Sequence, residues 1–234
     1  MSLDAIAPPL DLVALAYFAL VLAVYRVMVT RRAQAGGGLL GAIQKQRVSW
    51  MLNMAKREQR MLDAILLGSL GQGNAFFAST SAIAVGGLAA TLGSGERLQA
   101  MLAHLPYVAP ATPGLWEAKQ ILIMSIFVYA FFKFAWAFRI SHYASIMIGA
   151  TPPYDATSSE EGMRHAERTA ALIGVAAEHT NSGLRSYYHA IATLAWFFHP
   201  LLFMLATTWV LLILARRDFF SRTLRLVSTP AATR

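Results

Sequence analysis

The residue that most invites a chemical role is Lys133, set among Phe131, Phe132 and Phe134 inside an apolar run from Trp116 to Met147. A lysine at the centre of a membrane helix costs about 2.5 to 3.5 kcal/mol on insertion scales, so it needs a counter-charge, a wet cavity or a route for its head group to the interface. A wet cavity would favour anionic solutes, and Gln72, Asn74 and His199 are the polar residues of neighbouring apolar runs that would line a path with it. A counter-charge would make the lysine structural. Asp63 is the acid placed to supply it, and Arg139 lies within reach of the same carboxylate. A pore puts all of these polar groups on one water-filled surface, whereas a scaffold leaves Lys133 among ordinary lipid or protein contacts.

The elements that must hold these side chains follow from composition and period. With 56% hydrophobic and 14% charged residues and a mean hydropathy of +0.48, the 234 residues exclude an ordinary soluble domain. They read as one all-α, polytopic membrane domain covering 1–234. Four stretches, about 10–30, 64–92, 115–148 and 187–215, are each sufficient to cross a hydrocarbon core of about 30 Å. The third would be roughly 50 Å long as a helix, so its end near Arg139, His142 and Tyr143 projects beyond one face. In the fourth, Pro200 removes one backbone hydrogen bond, which kinks the helix and frees the carbonyl of Trp196. Two more stretches, about 43–63 and 160–180, set charged residues opposite an apolar or small-residue face and read as cytoplasmic amphipathic helices. The first lies on the membrane or on its own bundle; Asn181 and Gly183 end the second. A short helix is expected near Glu96 to Leu105. Gly71, Ala75, Ser79, Ala82 and Gly86 recur at spacings of four, four, three and four, a small-residue stripe that lets a neighbouring helix approach closely.

Charge sets the expected orientation. Seven Lys or Arg lie between the first two spans, from Arg31 to Arg60, against Arg97 and His104 in the next link. The positive-inside rule then puts the N-terminus outside and the basic segment in the cytoplasm of a bacterial inner membrane. The N-terminal segment carries Asp4 and Asp11 and no basic residue, unlike a signal peptide, so the first span is expected to be retained. One feature conflicts with this layout. Four crossings leave the C-terminal tail outside, yet from Arg216 onward it holds five arginines. The formal net charge of +8 is otherwise explained by anionic lipid head groups at the ends of the spans, and nucleic acid is not an expected partner.

Enzymatic chemistry finds little support. The sequence has no HExxH, GxSxG or GxxxxGK motif, and Gly71 to Asn74 lies in no strand and crossover unit that would make it a nucleotide fingerprint. The absence of cysteine excludes disulfides, thiolate metal sites, iron–sulfur clusters and c-type haem. His142 and His189 near the ends of two spans would suffice for a bis-histidine haem, but lone histidines at helix ends are ordinarily interfacial. No cofactor, metal or catalytic group is therefore expected.

Several short motifs together resemble a known family. They are Arg47 with Trp50-Met51, Arg57-Glu58 through Arg60 and Asp63, and Phe76-Phe77-Ala78-Ser79-Thr80 with Gly86-Gly87. Lys133-Phe134-Ala135-Trp136 with Arg139 and Tyr143 follow, then Asn181, Gly183-Leu184-Arg185, Tyr187-Tyr188 and Trp196-Phe197 with Pro200. From about Leu10 to Ser221 the chain is similar to the bacterial and plant membrane proteins catalogued as domain of unknown function 599. The resemblance implies a small helical membrane protein and supplies no activity. The residues themselves lead to two expectations. One is a homo-oligomeric channel or transporter for a small solute, with anions favoured by Lys133. The alternative is a non-catalytic accessory or scaffold subunit of a larger membrane complex, docking through the small-residue stripe.

Overall fold

A computed structural model describes residues 8–93, 111–153 and 159–228 of the chain. The short helix expected near Glu96 lies outside the described residues. The elements are α1 (Pro9–Gln34), α2 (Gly38–Ala55), α3 (Met61–Thr91), α4 (Pro113–Gly149), α5 (Glu160–Leu194), a 3-10 turn (Ala195–Phe197), α6 (Pro200–Phe220) and α7 (Arg222–Ser228). Among the described residues four helices are long and apolar enough to cross a membrane: Pro9–Arg32, Met61–Thr91, Pro113–Gly149 and Pro200–Ser228. The fold is all-α and polytopic, as the composition requires. Contacts divide the chain into two compact units. The first comprises Met1–Thr30, Thr80–Ala130 and Leu184–Ala215, and the second Arg31–Ser79, Phe131–Gly183 and Arg216–Arg234.

In the first unit, one set of polar contacts gathers four helix ends. Trp196 Nε1 donates to Asp11 Oδ1 at 2.8 Å, Lys119 Nζ donates to the Trp196 carbonyl at 2.9 Å, and Gln120 Nε2 donates to Thr91 Oγ1 at 3.2 Å. So α1 and α4 leave from the end at which α3 and α5 arrive. α6 then turns back. The Phe18 ring lies 6.1 Å from the His189 ring on α5 and 5.0 Å from the Phe203 ring on α6. Fourteen residues of unbroken helix would separate those two positions by about 21 Å. The single helix expected over residues 187–215 is therefore corrected to a helical hairpin. Its physical cause is local: Pro200 has no N–H for the helix ladder, the chain tightens into the 3-10 turn, and His199 Nδ1 accepts the Leu201 amide at 3.1 Å to start α6 afresh. Stacking of Trp196 on Phe203, with centroids 5.1 Å apart and planes at 15°, fills the inside of the bend. Ala14, Phe18, Leu115, Trp196 and Phe203 form the apolar core of this unit.

The second unit is built on α2. Met51, Met54 and Ala55 pack against Leu67, Ala144, Ile148, Ala166, Ala170 and Ile173, while Lys45, Gln46, Ser49, Asn53 and Lys56 face outward. Of the two surfaces open to the first amphipathic helix, it takes its own bundle. Its start is fixed by Gly36 and Gly38, both at φ +69°, where an L side chain would be strained. The end of α6 and α7 return to this region. Arg32 lies over the Phe219 ring at 4.8 Å, and Gln46 Nε2 donates to the Val227 carbonyl at 3.4 Å.

α5 runs on through Asn181 and Gly183, which correct the expectation that these residues stop it. Asn181 Nδ2 donates to the Ala177 carbonyl one turn back. Gly183 is needed for close approach: a Cβ there would lie 2.6 Å from Phe134 Cζ. Along α5 the exposed face changes from Arg164, Glu167, Arg168 and Glu178 to Tyr188, Ile191 and Leu194. The charged stretch suits water and the later one lipid. On α4, Glu117 and Arg139 bracket an exposed face of Ala118, Ile121, Val128, Tyr129, Phe132 and Trp136. From Glu117 to Arg139 the helix rises about 33 Å, close to a hydrocarbon thickness.

Candidate functional site

In the second unit, Asn74 is buried and its Oδ1 lies 2.7 Å from the Thr180 hydroxyl. Gln72, two residues earlier, is exposed on another side of the helix. Lys133 is half-buried, and its charge reaches His179 on α5. His179 lies on the aqueous stretch of α5, where burial first and the Lys133 charge second push it below its ordinary value. In the first unit, His199 acts as the cap of α6. Asn74 and His199 thus have local structural partners, which sequence spacing alone does not disclose.

The expected pairing of Asp63 with Lys133 or Arg139 is corrected. Asp63 is 1% exposed, and its Oδ1 accepts Trp50 Nε1 at 2.7 Å and Arg57 Nη1 at 2.9 Å. Arg57 wins because it lies in the short link between α2 and α3, six residues from Asp63, where the carboxylate begins α3. Arg139 instead donates from Nε to the Tyr143 hydroxyl at 3.0 Å, one turn along its own helix. Beside Asp63, Arg60 gathers the last carbonyls of two helices, donating to Ala55, Thr151 and Pro152 at 3.0, 2.9 and 2.7 Å. A guanidinium is suited to this, since its donors fan out in a plane and its charge complements helix C-termini.

The small-residue stripe divides along its length. Gly71 is buried, where a Cβ would lie 3.5 Å from Ser141 Cβ. Ser79, Ala82 and Gly86 are exposed. Their mean spacing of 3.75 exceeds the helical 3.6, so the stripe drifts around the helix. The inner face continues instead through Asn74, Ala78 and Ser81.

The first unit contains buried charges that hydropathy did not flag. Asp11 and Lys119 are 5% and 2% exposed, with Lys119 Nζ 3.5 Å from Asp11 Oδ1. Lys119 also occupies the carbonyl of Trp196, the group that Pro200 was expected to free. The available signal was that the third apolar run holds two lysines, Lys119 and Lys133, of which only the second is surrounded by phenylalanines.

From this end a row of polar side chains follows α5. Ser186, His189 and Thr193 are 6%, 8% and 0% exposed, and the Arg185 guanidinium lies 6.0 Å from the Tyr25 ring centroid. They recur about one turn apart and lead toward Trp196, Lys119 and Asp11. Chemically the row offers cationic groups and hydroxyls for holding or relaying a polar solute. Among the described residues no group of three or more His, Cys, Asp or Glu is placed to hold a metal ion.

Comparison with known proteins gives a family and no activity. The family model described as "Protein of unknown function, DUF599" matches residues 13–223, so the chain belongs to that family. No curated protein and no solved structure matches the chain.

Proposed function

We propose that this member of the DUF599 family is a homo-oligomeric, non-catalytic channel or transporter for a small solute, with anions favoured. The observation that carries the reading is the row of polar and ionisable groups along α5, buried at Ser186, His189 and Thr193 and half-buried at Arg185. Arg185, His189 and Thr193 approach the Asp11–Lys119 pair within one compact unit. Ionisable side chains in membrane segments are expensive, and they commonly mark solute or ion pathways. Two of the four ionisable groups are permanently or ordinarily cationic, which favours an anion. The reading moves the path from Lys133 to α5, because Asn74 and Gln72 lie on different sides of α3 and His199 caps α6.

Its setting is a bacterial inner membrane with the N-terminus outside. Sixteen of the twenty Lys and Arg but only eight of the twelve Asp and Glu fall in the second unit, so that unit carries the whole charge of +8 and the first is neutral. The positive-inside rule supports a cytoplasmic second unit, in contact with anionic head groups. The α5–α6 hairpin supports a cytoplasmic tail as well, since it adds the reversal that single crossings lacked.

A second reading, an accessory or scaffold subunit of a membrane complex, is favoured by the exposure of Ser79, Ala82 and Gly86. Flux separates the two. Proteoliposomes holding the purified protein should pass nitrate or chloride, and Arg185→Gln should reduce the rate. Flux no greater than in empty vesicles, with a defined hetero-complex by native mass spectrometry from unperturbed membranes, would reject transport in favour of the accessory role.

A further inference from the structure

Two buried groups on the α5–α6 hairpin lack the partners that their chemistry demands. Thr207 is 1% exposed and its hydroxyl has no hydrogen-bond partner among the described residues. A buried helical threonine ordinarily bonds the carbonyl four residues back, and Thr169, Thr193 and Thr208 here do so at 2.9, 2.8 and 2.8 Å. Thr207 does not. His189 is 8% exposed and its Nδ1 likewise has no hydrogen-bond partner among the described residues, whereas the corresponding atom of His142 bonds the Phe138 carbonyl at 3.0 Å. A buried unmade hydrogen bond costs about 1 to 3 kcal/mol, so two in one hairpin call for an explanation.

The two groups converge with a cation. His189 and Phe203 both lie against Phe18. One turn further along α6 comes Thr207, and one turn back along α5 comes Arg185, on the faces that His189 and Phe203 already share. Going along α1 in the same direction from Phe18 leads to Tyr25, whose ring is 6.0 Å from the Arg185 guanidinium. Positive charge, an imidazole nitrogen and a hydroxyl are thus brought to neighbouring turns of α5 and α6, beside Phe18, Phe203 and Tyr25.

We infer that Arg185, His189 and Thr207 form a seat for one small monovalent anion, a halide or a planar oxyanion such as nitrate. Thr207 donates its hydroxyl hydrogen, His189 donates from Nδ1, and Arg185 supplies the charge. This deepens the transport reading and rests on it for the purpose of the seat, but binding itself is measurable without transport.

The test is isothermal titration of sodium nitrate into the purified, detergent-solubilised full chain, with gluconate replacing chloride in the buffer. Wild type should bind nitrate saturably with one site per chain. Thr207→Val, which keeps the side-chain shape, should weaken binding about tenfold or more, as expected for losing a hydrogen bond to a charged group. Thr169→Val, in the second unit, should leave it unchanged. Thr207→Ser should bind as wild type, which checks the hydroxyl even if the valine variant folds poorly. No saturable binding by wild type, or equal binding by Thr207→Val, overturns the seat and leaves only a buried water to satisfy the two groups. Saturable binding without vesicle flux keeps the seat and rejects transport, whereas flux unaffected by Thr207→Val does the reverse.

Discussion

Removing either member of the Asp11–Lys119 pair should destabilise the protein more than removing both. The two groups are 5% and 2% exposed and 3.5 Å apart. At an effective dielectric of about 20 their attraction is about 5 kcal/mol, much of it offset by the loss of water around both charges. Lys119→Met strands the Asp11 carboxylate with only the Trp196 indole N–H, and it also leaves the Trp196 carbonyl without its donor. The expected loss is about 3 to 5 kcal/mol. Asp11→Asn keeps an acceptor for Trp196 but strands the ammonium, with a loss of similar size. The double variant carries no charge and should lose only the donor to the Trp196 carbonyl, about 1 to 3 kcal/mol and no more than either single. The assay is unfolding by dodecyl sulfate in mixed micelles, followed by tryptophan fluorescence and far-ultraviolet circular dichroism. Singles that each cost less than about 1 kcal/mol, or a double that equals their sum, would show that the pair is solvated and that the latch at the hairpin is incorrectly described.

Three further outcomes are expected. Gly183→Ala should cost about 1 to 3 kcal/mol, because its Cβ would fall 2.6 Å from Phe134 Cζ; adding Phe134→Leu should recover part of that loss, and thermal melts of the three variants decide the matter. His179 sits below its ordinary value of 6.5, through burial and then the Lys133 charge. The native state therefore resists its protonation, stability is full above about pH 6.5 and falls as the pH drops toward the native value, and Lys133→Met should lessen that fall without abolishing it. Melts from pH 8 to 5 that show the same acid loss in His179→Gln would contradict this. Because the chain has no cysteine, single cysteines report sidedness directly: Asn53→Cys and Ser228→Cys should be labelled only after permeabilisation of cells, and Thr112→Cys without it.

The sequence discloses some parts of this architecture because they depend on local physics. Three of the long helices follow from uninterrupted apolar length, and the freed Trp196 carbonyl from the missing N–H of Pro200. The partner of that carbonyl was hidden, since Lys119 lies 77 residues away in the chain and nothing local aims it there. The hairpin was hidden for a different reason. Hydropathy does not change sign when a helix reverses, so residues 187–215 read as one span. Two signs were nonetheless present: the stretch is about 43 Å long as a helix, well over a bilayer, and the tail arginines conflicted with an odd number of missing turns. Lys133 drew attention through its three phenylalanine neighbours, whereas Arg185 looked like the ordinary basic border of a span. Only packing of α1 and α6 on α5 makes it the half-buried neighbour of a buried row.

The most direct test of the transport reading asks whether that row is wet. Ser186→Cys and Thr193→Cys, with Ile191→Cys on the exposed apolar side of the same helix, can be exposed in vesicles to a small anionic methanethiosulfonate. A water-filled path predicts reaction at 186 and 193, slowed by nitrate, and none at 191. If 186 and 193 are as unreactive as 191, the buried row is a dry structural seam and the proposed path through α5 does not exist.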